Sequence, residues 1–184
     1  MELNDNIFRA NDIRGIAFED LTEEVVFALG KALGTETINR KQSDFIIGRD
    51  GRISSPQLFE WVSEGVLSTG CNVTDIGVVP SPVFYHSTFN LDSSSGVVIT
   101  GSHNPADYNG FKILFNNNST SSEEIQSIKK RVKKQDFLSG KGNIESLDVV
   151  ESYVQEVISN IKSCGAIPPP LVRQGLSKHW YTNH

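Results

Sequence analysis

The sequence is short of cysteine, of positive charge and of long apolar runs, and each shortage removes a class of function. Its two cysteines, Cys71 and Cys164, stand far apart. Neither falls in a Cys-x-x-Cys or Cys/His spacing, so no zinc site or disulfide framework is expected. Acidic residues outnumber Lys and Arg by 22 to 17, giving a net charge of −5. Without a basic stripe, a nucleic-acid partner is not expected. The one basic cluster, Lys129-Lys130-Arg131 with Lys133-Lys134, spreads around a helix as a solvated face. No apolar run approaches the roughly 20 residues that span a bilayer, and the first residues carry no apolar signal-peptide core. The expectation is a cytoplasmic protein without a membrane partner. No internal repeat is present.

What the 184 residues do contain, at 38% hydrophobic content, is one α/β domain with some chain to spare. Short β-branched runs alternate with amphipathic segments, the pattern of an α/β sandwich. Thr22 followed by Glu23 and Glu24 predicts a helix start, and Val25, Val26, Leu29 and Leu33 recur at helical spacing until Gly34. Strands are predicted near Phe45, Val73 and Gly96. A second helix follows Ser55, read as its cap, with Pro56 at its first position, and ends at Gly70. Ser81-Pro82 opens a short helix. A strand at Phe111 comes too soon after Gly96-Val97-Val98-Ile99 for a parallel crossover and must run antiparallel. Ser121-x-x-Glu124 is a capping box, and Asp148-x-x-Glu151 a similar start for a helix through Tyr153, Val154, Val157 and Ile161. The fold class predicted is a three-layer α/β/α domain around a mixed four-stranded core sheet, over residues 1–145. Residues 146–162 form a linker helix. Residues 163–184 are an atypical tail, expected to be disordered or loosely packed, because Pro168-Pro169-Pro170 favours extended polyproline II over a strand.

The densest information lies in Thr100-Gly101-Ser102-His103-Asn104-Pro105-Ala106-Asp107-Tyr108-Asn109-Gly110-Phe111-Lys112. It follows an apolar run and so occupies the loop at a strand's C-terminal end, where open α/β sheets place ligands. It offers a hydroxyl (Ser102), an imidazole (His103) and an ammonium (Lys112). This stretch resembles the phosphoserine loop of the α-D-phosphohexomutases, in their phosphomannomutase/phosphoglucomutase branch. Three further stretches resemble the same family, in the right order. They are Phe8-Arg9-Ala10-Asn11-Asp12-Ile13-Arg14-Gly15, Ile47-Gly48-Arg49-Asp50-Gly51-Arg52-Ile53-Ser54-Ser55 and Asp75-Ile76-Gly77-Val78-Val79-Pro80-Ser81-Pro82. The likeness covers roughly the first 160 residues.

The resemblance implies that Ser102 carries a phosphoryl group that it gives to a hexose phosphate and recovers from another position of the same sugar. A phosphate oxygen on Ser102 would be one ligand of Mg²⁺, and a hexose 1,6-bisphosphate would be the activator. His103 is read as a supporting catalytic residue that orients Ser102 or carries a proton. Lys112 is read as the acid/base or charge-stabilising residue. Arg14, placed in the N-terminal loop, is read as a phosphate contact, with a salt bridge to Asp12 as the alternative. Arg49, Asp50 and Arg52 are read as a hydrogen-bonded scaffold beneath the site. Asn11 stands where the family usually has tyrosine. It removes an aromatic wall but keeps hydrogen-bonding capacity at the candidate substrate-binding position.

The family is a four-domain enzyme, and the other three domains supply an Asp-x-Asp-x-Asp magnesium loop, a sugar-recognition loop and a phosphate-binding loop. No such Asp spacing occurs in this chain, so the main magnesium ligands are expected from elsewhere. The predicted function is the phosphoserine-bearing domain of a phosphohexomutase interconverting the 1- and 6-phosphates of mannose or glucose, inactive as an isolated chain. Its partners would be the phosphosugar and the missing domains of the same enzyme. The alternative is a non-catalytic truncated domain that binds phosphosugars or acts as an interaction module.

Overall fold

The computed structural model describes residues 3–163, and the chain divides into two compact units after Asp148. The proline-containing tail and Cys164 lie outside the described residues. In the first unit the strands and helices are β1 (Ile13–Ile16), α1 (Glu23–Asn39), β2 (Asp44–Arg49), α2 (Ser55–Leu67), β3 (Asn72–Val78), α3 (Ser81–Asn90), β4 (Gly96–Ile99), β5 (Tyr108–Phe115), β6 (Asn118–Ser119), α4 (Ser122–Lys134) and β7 (Ile144–Ser146). The second unit is described through α5 (Val150–Ser163). No described helix is long and apolar enough to cross a membrane.

The sheet runs in the order β1-β5-β4-β2-β3-β7, with β6 paired to β5. The expected core is present: β2, β3 and β4 are parallel, and β5 returns antiparallel to β4 with Ile99 opposite Phe111. The sheet is nevertheless larger than the four strands predicted, since β1, β6 and β7 add to it. Arg14 is therefore on an edge strand, opposite Gly110, and not in a loop. Sequence periodicity could not show β1, because its four residues place an arginine and a glycine mid-strand. Pairing with β5 supplies what the local pattern lacks.

Alternation along the strands separates two apolar layers. Phe45, Ile47, Val97, Ile99, Phe111, Ile113 and Phe115 join α1, α2 and α4 in one buried cluster. Ile46, Val98 and Leu114 turn the other way, where α3 presents the buried Val83 and Phe84. This makes the three layers. Helix starts follow local chemistry: Thr22 caps α1, and Ser121 with Glu124 completes the predicted capping box of α4, an arrangement worth about 1 kcal/mol.

Three local expectations are corrected. Gly34 does not end α1, which continues to Asn39. A Cβ at Gly34 would collide with Thr69 Oγ1 and the Val66 backbone, so this glycine serves packing and not termination. The α2 cap position is Ser54, while Ser55 is already helical and donates its hydroxyl to Asp50. Finally, α2 ends at Leu67, ahead of Gly70, whose φ is +92°. Cys71, at the head of β3, is fully buried, and burial, reinforced by the nearby Asp44, pushes its thiol up to about 12. It is chemically quiet.

Candidate functional site

The loop of residues 100–107 leaves β4, a central strand, and returns into β5. Its apex is conformationally unusual: Ser102 has a φ of +52°, in the left-handed region that non-glycine residues seldom occupy. Thr100 Oγ1 accepts from the Ser102 N–H at 2.9 Å and fixes this turn. The Ser102 side chain is exposed, and its Oγ lies 3.2 Å from His103 Nδ1. With that nitrogen unprotonated, the hydroxyl donates to the imidazole. Two of the predicted residues therefore meet directly.

Arg14 is 6% exposed and is already engaged. Nη1 donates to Gly101 O and Asn104 Oδ1, each at 2.9 Å, and Nη2 to Asp12 at 2.6 Å. The Asp12 ion pair, the alternative reading of Arg14, is present, and the other terminal nitrogen of the guanidinium is given to the motif loop. Lys112 lies opposite Val98. Counting along the pleat puts it on the sheet face that Gly110 and Arg14 share, away from the α1–α2 layer. Its side chain makes no hydrogen bond or ion pair with the described residues. Asn11 is exposed in the bend before β1, and the structure does not join it to the loop.

Beneath the loop is a polar scaffold built by the Gly48-Arg49-Asp50-Gly51-Arg52 segment. The Asp50 N–H donates to Ile99 O, and Asp50 Oδ2 accepts from the Gly101 N–H at 3.1 Å. Its Oδ1 accepts from Ser55 Oγ at 2.7 Å and the Arg52 N–H at 3.1 Å. Arg52 spreads over four loop carbonyls, those of Ser102, Asn104, Pro105 and Tyr108. Asn109, fully buried, donates to the hydroxyls of Ser54 and Ser55 at 2.9 and 3.0 Å, tying β5 to the start of α2. Arg49 is set apart: it pairs with Asp75 at 2.7 Å and lies over the Phe59 ring. The roles of Thr100 and Asn104 escaped sequence reasoning, although both sit inside the motif. Thr100 serves the Ser102 N–H and Asp50, and Asn104 Oδ1 accepts from Arg14, contacts that composition does not reveal. A groove beside the loop is lined by Asp50 to Ile53, Asn104 and Ala106, and Ile53 is 99% exposed at its rim.

Burial works against ionisation of Asp50, but hydrogen bonds from Ser55, Arg52, Thr100 and Gly101 outweigh it and hold the carboxyl below its ordinary range. A depressed carboxyl pKa stabilises the fold fully above the unfolded value, near ~3.9. That stabilisation is lost as pH falls through the folded value. Asp50→Asn should therefore lower the melting temperature at pH 7, and the gap from wild type should close as the pH is taken from about 5 to about 2. A gap that stays constant across this range would show that Asp50 contributes through shape alone.

Residues 5–139 match the family described as phosphoglucomutase/phosphomannomutase, alpha/beta/alpha domain I. The phosphomannomutase/phosphoglucomutase of Pseudomonas aeruginosa is 42% identical over 156 residues, which are 85% of this chain and 34% of that protein. The phosphoglucomutase of Neisseria meningitidis serogroup A is 36% identical over 159 residues, 85% of this chain and 35% of that protein. Among solved structures, a phosphoglucomutase/phosphomannomutase family protein from Burkholderia thailandensis superposes with a TM-score of 0.82 at 34% identity. That superposition covers 86% of this chain and 36% of the other. The chain thus spans about a third of the length of these relatives. Since the matched residues take in β1 to β6, α1 to α4 and the whole motif loop, the chain belongs to the phosphoglucomutase/phosphomannomutase family, of which it carries the α/β/α domain I.

Proposed function

We propose that this chain is the phosphoserine-bearing domain of a phosphohexomutase, an isomerase interconverting the 1- and 6-phosphates of mannose or glucose through a bisphosphate intermediate. The observation that carries the reading is the exposed, left-handed Ser102, presented at the end of a buried strand with its Oγ against His103 Nδ1. A strained residue held by several independent hydrogen bonds marks a position where geometry serves chemistry.

In the forward half-reaction the Ser102 Oγ–P bond breaks and a sugar hydroxyl forms the new O–P bond, giving a hexose bisphosphate and a free serine. The sugar hydroxyl loses its proton as it attacks, and Ser102 Oγ regains one. The second half-reaction returns the other phosphoryl group to Ser102, and a hexose 1,6-bisphosphate can recharge a dephosphorylated enzyme in the same way. His103 is placed to hold the Ser102 proton. Lys112, free of partners among the described residues, is available to stabilise charge on the moving phosphoryl group or to exchange a proton. Arg14 sets the loop from below and Asn11 is the candidate sugar contact in the N-terminal bend.

Magnesium, which the family likeness implies, is not accommodated by this chain alone. A phosphate on Ser102 would lend one oxygen, but Mg²⁺ also takes one or two carboxylates. Of the carboxylates near the loop, Asp50 is committed to Gly101, Arg52 and Ser55 and Asp12 to Arg14, while Asp107, within the loop, is exposed. Among the described residues no three His, Cys, Asp or Glu side chains converge. The remaining ligands, and the loops that grasp the sugar, are assigned to the other domains of the enzyme.

The test has two parts. Intact-mass analysis of the assembled enzyme should find one phosphate, which peptide mapping places on Ser102. The 184-residue chain by itself should give no turnover in a coupled assay with magnesium, hexose 1-phosphate and hexose bisphosphate. Phosphate at another residue, or turnover by the isolated chain, would overturn the reading.

A further inference from the structure

We propose that Arg52 is the positioning residue of the phosphoserine loop, and that position 101 is glycine to admit its guanidinium; this rests on the reading of Ser102 as the phosphoserine. Nη1 donates to Pro105 O at 2.5 Å and Tyr108 O at 3.0 Å. Nη2 donates to Ser102 O at 3.2 Å and Asn104 O at 2.7 Å. Nε lies 3.4 Å from Asp50 Oδ2 in an ion pair, and the four N–H groups of the two terminal nitrogens are each given to a carbonyl. The terminal nitrogens of Arg52 have no donor left for a phosphate. Its action is on the loop.

The shape of the loop follows. Every peptide bond among the described residues is trans, so each N–H points opposite to the C=O of the same peptide unit. Turning the Ser102 and Pro105 carbonyls toward Arg52 sends the His103 and Ala106 N–H groups away from it. The carbonyl of Asn104 is gathered as well, and the residue after it is Pro105, which has no N–H to aim. Neither the His103 nor the Ala106 N–H has an acceptor among the described residues. They are donors available to a phosphate on the exposed Ser102. Gly101 completes the argument. Its φ is not in the left-handed region, in contrast to Gly70 and Gly77. A Cβ there would overlap Arg52 Cζ and Nε. The requirement is space for the guanidinium, and Asp50 secures both sides of the contact by holding the Gly101 N–H while facing Arg52 Nε.

The test uses the whole chain with phosphoserine installed at position 102 during translation, so it does not depend on any mutase activity. Phosphorus NMR follows the second pKa of the phosphate, and ¹⁵N spectra follow the backbone amides. In the wild-type chain the His103 and Ala106 amide protons should move downfield on phosphorylation, and the phosphate pKa should lie below the ordinary value of about 6. Arg52→Lys keeps the charge and loses the fork, whereas Gly101→Ala keeps Arg52 and expels it from its seat. Both should return the pKa to about 6 and cancel the amide shifts. In the assembled enzyme both should lower kcat by about 100-fold with little change in KM. A purely structural Arg52 would instead lower the melting temperature and leave the pKa unmoved, and that result overturns the proposal. Wild-type amides that ignore the phosphate overturn it as well, even if neither variant folds. Absence of phosphate from Ser102 in the assembled enzyme would count against the mutase reading alone.

Discussion

Ser102→Ala should stop phosphoryl transfer in the assembled enzyme, lowering kcat by about 10⁴-fold or more, while the fold barely registers the change. The hydroxyl is exposed and touches only His103 Nδ1. Alanine in the left-handed conformation is about as strained as serine there, so the stability change should stay within about 0.5 kcal/mol. The phosphate seen by intact mass should disappear with the activity. Lys112→Ala makes a companion measurement. With no described partner to lose, it should cost about 10²- to 10⁴-fold in rate and leave the melting temperature in place. If activity and melting temperature fall together in either variant, these side chains serve the fold, and the site must be sought elsewhere.

Gly65→Ala should have the opposite signature, a large loss of stability far from the chemistry. The α1–α2 pair crosses with Gly30 against Gly65. A Cβ on Gly65 would overlap the Phe27 carbonyl oxygen and stand 2.9 Å from Gly30 Cα. Both obstacles are backbone and cannot swing aside as a flexible side chain would, so the helices must separate. Overpacking of this kind costs about 3 kcal/mol, or roughly 6 to 12 °C in melting temperature for a chain of this size. Gly51 is the matched control: a Cβ there meets nothing within 4 Å, and Gly51→Ala should be close to neutral. Equal melting temperatures for the two variants would mean that the helix pair relaxes freely.

How much of this could be read from the chain differs by element, for physical reasons. Strands β2, β4 and β5 were legible because they are largely buried and read as apolar runs, and β3 through its β-branched Val-Thr and Ile. β7 was not, since its Ile-Glu-Ser is exposed throughout and exists by pairing with β3. The close-packing role of Gly34 was invisible because its neighbours, Thr69 and Val66, come from another helix and the turn after it. At the site, the Ser102–His103 contact lies within the unbroken motif, and Asp50 and Arg52 form the scaffold expected of them, whereas Arg49 pairs with Asp75 outside it. That Arg52 gathers four carbonyls could not be inferred, because every residue has a carbonyl and the sequence records none of their directions.

The antiparallel return of β5 makes the motif intolerant of changes in length. Ser102 and Lys112 belong to one β4–β5 connection, in which Val98 faces Lys112 and Ile99 faces Phe111. Because side chains alternate with a period of two, a one-residue shift in the pairing of β5 with β4 would turn Lys112 toward the α1–α2 layer and carry the fully buried Phe111 to the other side. Substitutions in this stretch change one contact at a time. A one-residue indel within β5 would exchange the faces of part of the strand, so variation in length should fall outside it.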